Sequence, residues 1–148
     1  MNLKKIGFYL LCLIPWFVSA IIFRSDTSYY NSLNLPFFAP PSFLFGIIWP
    51  ILYFLVAYSI YRVWNYSNKD YKIILLINYI SNQLFSFFFF TIKNNFLSFV
   101  DTIVVLVSSI YLYKKTKAMD EMASKYLIPY IVWNIFALLL IFFVFIKN

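Results

Sequence analysis

The sequence predicts an all-α integral membrane protein, a single domain over residues 1–148 with five transmembrane helices and a long Pro-rich loop between helices one and two. Composition is the first reason, because 64% of the residues are hydrophobic and only 11% are charged, whereas soluble domains carry about 25% charged residues. The second reason is that the apolar residues form five runs, each close to the ~20 residues that cross a bilayer as a helix. Strands of a membrane barrel would be about half as long and would alternate polar with apolar residues.

The five predicted helices cover residues of about 6–23, 42–64, 73–91, 96–113 and 126–146. Only helices and closed barrels satisfy their own backbone groups in lipid, and continuous runs of this length favour helices. The first run also resembles a secretory signal peptide, because Lys4 and Lys5 precede it and Val18-Ser19-Ala20 suits a cleavage site. We favour an uncleaved first helix, since the apolar run continues to Phe23.

The loop over residues 24–41, here called the lid segment, is longer than the other breaks between the apolar runs. Loops longer than about 12–15 residues are usually functional or disordered, and the aromatic residues in this one disfavour disorder. Proline at its end suits entry into the second helix, where a missing N–H costs nothing. We therefore predict a lid over one end of the bundle, formed by Tyr30, Pro36, Phe38, Pro40 and Pro41.

The net charge of +7 would fit a nucleic-acid-binding protein, but the basic residues lie at the ends of the apolar runs. Nine share one end of the predicted bundle: Lys4, Lys5, Arg62, Lys69, Lys72, Lys114, Lys115, Lys117 and Lys125. The other end has Arg24, Lys93 and Lys147. The positive-inside rule then predicts a multi-pass membrane protein with a cytoplasmic N-terminus. The same placement of the charges argues against a nucleic-acid partner. The cluster at residues 114–117 is interpreted as a topology determinant, with contact to membrane lipids as the alternative.

The sequence contains no histidine, which removes the commonest metal ligand and the commonest general base at neutral pH. No metal site is predicted, and the composition argues strongly against a metalloenzyme or a Ser-His-Asp hydrolase. Cys12 is the only cysteine, so no internal disulfide can form. Asp101 is the one carboxylate inside an apolar run, and we interpret it as a structural polar contact.

Three of the predicted helices carry residues that suit a shared internal pocket. Trp49, Tyr53 and Ala57 recur every four residues and therefore share one helical face. The same spacing groups Asn78, Asn82, Phe85, Ser86 and Phe89 on the third helix, and Pro129, Trp133 and Ala137 on the fifth. Polar side chains deep in a membrane helix point inward. From the residues alone, ligand contact and interhelical hydrogen bonding suit the two asparagines equally well, and packing or an interfacial belt is the alternative for the tryptophans.

Four motifs resemble those of the TspO/MBR family, the translocator proteins or peripheral-type benzodiazepine receptors, in the family's own order. They are the loop sequence of residues 29–41, Phe45-Gly46-x-x-Trp49-x-x-Leu52-Tyr53, Asn78-x-x-x-Asn82-x-x-Phe85-Ser86 and Pro129-Tyr130-x-x-Trp133-x-x-x-Ala137. The likeness covers nearly the whole chain. It departs from the family pattern where Tyr29, Phe38 and Phe85 replace tryptophans and Leu35 replaces a lysine.

The resemblance implies a bacterial cell-membrane protein that binds porphyrins, and also sterols or benzodiazepine-type drugs. The role it implies is tetrapyrrole sensing, transport or photo-degradation. It also implies a homodimer. Porphyrin is expected as a ligand, with no cofactor. The ligand-binding residues implied are Trp49 and Asn78 for polar contacts, and Tyr53, Asn82, Phe85, Phe89, Trp133 and Ala137 for the walls. An enzyme is not expected, unless Trp49 and Trp133 support light-dependent porphyrin degradation as catalytic residues.

Two other classes of function remain open from the sequence, namely a small-solute transporter or channel and a membrane signalling scaffold. Against a transporter stand the single intramembrane charge, Asp101, and the absence of a visible inverted repeat among five helices.

Overall fold

The computed structural model of the chain describes residues 2–148, and every regular element within them is helical. Five helices are long and apolar enough to cross a membrane, which confirms the predicted all-α fold. They are α1 (Leu3–Ile22), α3 (Ser42–Tyr66), α4 (Lys69–Thr91), α5 (Asn95–Met119) and α6 (Glu121–Lys147). A sixth, short helix, α2 (Thr27–Ser32), lies in the lid segment and was not predicted.

Several helices run past the apolar stretches that predicted them. Side chains of Asn68, Asn94 and Asp120 accept hydrogen bonds from backbone N–H groups three residues later and so cap α4, α5 and α6. The capped first turn of α4 contains the polar pair Lys69 and Asp70. Apolar runs mark the part of a helix inside hydrocarbon, while capping decides where the helix begins.

Two stretches of the long helices depart from α-helical geometry. Pro15 lacks an N–H, and α1 tightens into a 3₁₀ turn over Ile14–Phe17. The last turn of α4, Phe87–Thr91, is a π-helix. Lys93 follows it with a φ of 57° and turns the chain toward α5.

The five long helices form a bundle in which each helix has two main neighbours. Helix α5 lies between α4 and α6, and α3 lies between α1 and α6. The end of α1 packs against α4. Large apolar side chains on the outer faces of all five are exposed, as expected for surfaces that meet lipid.

The buried side chains form two clusters. The larger one fills the bundle between all five long helices around Trp16, Tyr53 and Tyr130. The smaller one lies where the lid segment meets the ends of α4 and α6, and it contains Tyr30 and Phe89. A cavity lies in the region between them.

Candidate functional site

The candidate site is a cavity of about 400 Å³ inside the bundle, beneath the lid segment. Its volume falls within the ~300–1,000 Å³ typical of small-molecule sites. Ten aromatic side chains contribute to its lining, and most of the polar groups are hydroxyls and amides. Seven residues predicted as ligand contacts line it: Trp49, Tyr53, Asn82, Phe85, Phe89, Trp133 and Ala137.

Asn78, the eighth predicted residue, does not line the cavity. Its side chain is fully buried, and its amide nitrogen donates to the Val105 carbonyl at 3.1 Å and to the Ser108 hydroxyl at 2.9 Å. Its amide oxygen accepts from the Tyr130 hydroxyl at 3.0 Å. Asn78 therefore connects α4 to α5 and α6, which is the interhelical role that the sequence left open.

Asn82, one turn further along α4, links this network to the cavity wall. Its amide oxygen accepts from the Tyr53 hydroxyl at 3.0 Å and from the Gln83 amide at 3.1 Å. Its nitrogen donates to the Tyr130 hydroxyl at 3.2 Å. Gln83 in turn accepts from the Ser19 backbone N–H at 2.8 Å and so ties α1 into the network. The polar groups at this wall are thus held in fixed positions by four helices.

The aromatic rings of the cavity walls meet at both steep and shallow angles. The rings of Trp49 and Trp133 are perpendicular, with centroids 6.4 Å apart, and Trp49 lies 5.6 Å from Tyr53. Phe85 and Phe89 stack at 5.4 Å on α4. Such walls offer both ring faces and ring edges to a guest molecule.

Two neighbouring residues of the lining, Trp133 and Asn134, carry buried donors that are unused in this structure. The indole Nε1 of Trp133 and the amide Nδ2 of Asn134 have no hydrogen-bond partner among residues 2–148. Buried donors normally find a partner, because an unpaired one costs about 1–3 kcal/mol. Asn134 was not among the predicted contacts, although the rule for polar residues deep in a membrane helix applies to it as it does to Asn78 and Asn82.

Of the predicted lid residues, Tyr30 lines the cavity. Its ring packs 5.2 Å from that of Phe45, and its hydroxyl donates to the Pro40 carbonyl at 2.9 Å. Burial raises the pKa of Tyr30 to about 12, so this hydroxyl remains a donor at physiological pH. Pro36, Phe38, Pro40 and Pro41 do not line the cavity.

Phe38 instead packs against the side of α6, with its ring centroid 6.1 Å from that of Phe136 and 5.6 Å from that of Phe143. The segment that carries it is also held at Asn34, whose backbone N–H donates to the Asn148 side chain at 2.9 Å. These contacts anchor the second half of the lid segment to α6.

A polar clasp, formed by Asp26, Tyr29, Lys93 and Asn95, holds the first half of the lid segment. Asp26 pairs with Lys93 at 3.1 Å, and the Tyr29 hydroxyl donates to Asn95 at 3.1 Å. Hydrogen bonds from Ser28 and from the Tyr29 N–H, together with Lys93, lower the pKa of Asp26 to about 2. The carboxylate therefore contributes to the clasp above its ordinary pKa of about 4, and the contribution is lost as the pH falls through about 2.

Removing the lysine of the clasp is expected to loosen α2. In Lys93→Gln, amide hydrogen exchange of residues 27–32 should speed up by about two- to fivefold at low salt, since exposed ion pairs contribute little and are screened. Hydrogen exchange followed by mass spectrometry, at low and at high salt, measures this. Arg24→Gln is the matched control, because Arg24 is exposed and forms no ion pair among residues 2–148. Equal exchange in the two variants would contradict the clasp.

Asp101, the single intramembrane carboxylate, lies on α5 outside the cavity lining. One of its oxygens accepts from the Ser81 hydroxyl of α4, and the other, Oδ2, is buried and has no hydrogen-bond partner in the described part of the chain. Its contact with Ser81 is a structural one between neighbouring helices. Within residues 2–148 no three His, Cys, Asp or Glu side chains come close enough together to hold a metal ion.

The sequence of the chain is similar to those of several named proteins. The model of the TspO/MBR family matches residues 8–146 of the chain. The chain is 35% identical to the Tryptophan-rich protein TspO of Bacillus cereus over 125 residues, 82% of each protein. It is 38% identical to the Uncharacterized membrane protein YtaB of Bacillus subtilis over 125 residues, 82% of this chain and 81% of that protein. A Tryptophan-rich protein TspO of Archaeoglobus fulgidus is 29% identical over 157 aligned positions, covering 100% of this chain and 99% of that protein.

Proposed function

Because the chain belongs to the TspO/MBR family, we propose that this multi-pass membrane protein binds a flat, largely apolar ligand of the porphyrin class in the cavity beneath the lid segment. The observation that carries the proposal is the lining itself. Ten aromatic side chains surround the space, and two adjacent buried donors, on Trp133 and Asn134, have no hydrogen-bond partner within residues 2–148. A macrocycle with a few peripheral acceptors matches both features.

The aromatic walls would contact the faces and edges of the ring, while the buried donors would bind its carboxylate or carbonyl groups. Tyr53 and Asn82 shape the wall and are held by their mutual hydrogen bond. Asn78 does not touch the ligand. It accepts a hydrogen bond from the Tyr130 hydroxyl, and that hydroxyl in turn holds Asn82 at the cavity wall. Since histidine is absent, a metal-free porphyrin suits the site better than an axially ligated haem.

Retention of the ligand fits the structure better than passage of a solute. The lid segment is fastened to α6 through Phe38 and to the α4–α5 connection through Lys93. A binding protein for sensing or handling tetrapyrroles is therefore the role we propose. Ligand-dependent flux in sealed vesicles would favour a transporter, and light-dependent loss of bound porphyrin would favour degradation through Trp49 and Trp133.

Trp49→Phe is the variant that tests the wall. Loss of the larger ring is expected to weaken protoporphyrin IX binding by about two- to tenfold, the equivalent of one aromatic contact, and to reduce the quenching of tryptophan fluorescence. Titration of the purified protein with protoporphyrin IX measures both. Trp64→Phe is the matched control, because Trp64 lies at the far end of α3 against Lys72. Unchanged quenching and dissociation in Trp49→Phe would refute this placement of the ligand.

We also infer a cell membrane location with the N-terminus in the cytoplasm, supported by the nine basic residues at that end against three at the other. Reporter fusions to either terminus would test the orientation. The homodimer that the family resemblance implies remains a prediction, which cross-linking in native membranes can test.

A further inference from the structure

A groove of about 510 Å³ lies at the opposite end of the bundle from the lid segment, beside the start of α1 and the end of α3. Two exposed lysines from α1 and an arginine from α3 line it, together with three aromatic rings. The residues that matter are Lys4, Lys5, Phe8, Tyr61, Arg62 and Asp120. The cavity beneath the lid segment shares none of them.

Positive charge exceeds negative charge in this groove. Asp120 is its one carboxylate, and it is already occupied by the Nε of Arg62 at 2.8 Å and by the Ala123 N–H at 3.0 Å. The guanidinium carries four further N–H groups outside that pair. Lys4 and Lys5 are exposed and form no ion pair among residues 2–148. The groove therefore offers several unused cationic donors for an anion.

The groove also has an apolar side. The rings of Phe8 and Tyr61 pack with centroids 5.7 Å apart, and Phe8 lies one helical turn, about 5–6 Å, below the lysines. Beyond it on α1, Leu11 is 71% exposed. Since α1 crosses the membrane, this apolar surface begins where acyl chains begin. A small soluble anion would use only the cations, whereas a phospholipid would use both parts.

We propose that this groove binds the headgroup of an anionic phospholipid. The phosphate lies among Lys4, Lys5 and Arg62, and the acyl chain follows α1 past Phe8. The Arg62–Asp120 ion pair holds the guanidinium in place through its Nε, so its remaining N–H groups are positioned before the lipid binds. This site is independent of the ligand cavity and of the function proposed for it.

Native mass spectrometry of the detergent-solubilised protein tests the proposal with two lipids of identical acyl chains, a phosphatidylglycerol and a phosphatidylcholine. The wild-type protein is expected to retain one phosphatidylglycerol in preference to phosphatidylcholine. Lys4→Gln/Lys5→Gln should weaken that preference by about tenfold or more, at roughly fivefold for each cation near a lipid phosphate. Thermal unfolding should be unchanged, because both lysines are exposed.

Lys114→Gln/Lys117→Gln is the charge-matched control at the same end of the bundle. Lys114 lies over the Tyr111 ring at 5.7 Å, and neither lysine lines the groove. This control should keep the preference for phosphatidylglycerol. Equal losses in the two double variants would overturn the proposal, because they would mean general attraction to the charged end. Displacement of the lipid by millimolar inorganic phosphate would also overturn it, since the site would then be one for a soluble anion.

Discussion

Tyr130→Ala is expected to destabilise the folded protein by about 3–5 kcal/mol, the usual effect of removing a large buried aromatic side chain. Tyr130 is completely buried on α6. Its ring packs against Trp16 and Trp49, with centroids 6.3 and 6.4 Å away. Its hydroxyl also joins Asn78 and Asn82. The alanine variant would leave a void between α1, α3 and α6 and would remove one hydrogen bond from each of two amides of α4.

Tyr130→Phe separates the two contributions, because it removes the hydroxyl and keeps the ring. Hydrogen bonds between membrane helices are worth about 0.6 kcal/mol on average and at most about 1.7. Loss of two should therefore cost about 1–3 kcal/mol. Unfolding in mixed micelles of increasing sodium dodecyl sulfate, followed by tryptophan fluorescence, measures both variants. A phenylalanine variant as unstable as the alanine variant would show that packing around the ring contributes nothing.

The five helices could be predicted from the sequence because the bilayer imposes a strict rule on length and hydropathy. Helix ends could not be read in the same way. Lys69 and Asp70 lie in the first turn of α4 because Asn68 caps it, and polar residues outside the hydrocarbon are free to continue a helix. Helix α2 has only six residues, too few for any periodicity, and it depends on the cap formed by Asp26.

The cavity could be predicted in part, because spacing of four residues places Trp49 and Tyr53 on one face of α3. The same argument could not separate Asn78 from Asn82. Both point inward from α4, but Asn78 meets α5 at Val105, whereas Asn82 meets Tyr53 at the cavity wall. Which of two inward residues reaches a cavity depends on how closely the neighbouring helices approach at that depth, and a single sequence does not contain that information.

Asn134→Leu is expected to weaken binding of protoporphyrin IX by about 10- to 100-fold while leaving the ligand-free protein as stable as before or more stable. Asn134 is 1% exposed and lines the cavity, and its Nδ2 has no partner among residues 2–148. Replacing an unpaired buried amide by an apolar side chain of similar size costs the empty protein nothing. A hydrogen bond to a charged acceptor contributes about 1.5–3 kcal/mol, which gives the expected loss of affinity.

A porphyrin with alkyl substituents only, and hence without peripheral acceptors, makes this test specific to the hydrogen bond. Its affinity should be the same for wild-type protein and Asn134→Leu, because the ring still meets the same aromatic walls. Thr102→Val is the matched protein control, since Thr102 lines the cavity but its hydroxyl already donates to the Ser98 carbonyl at 2.7 Å. If Asn134→Leu weakened both porphyrins equally, the amide would act through the shape of the cavity, and Trp133 would be left as the buried donor for the ligand's acceptors.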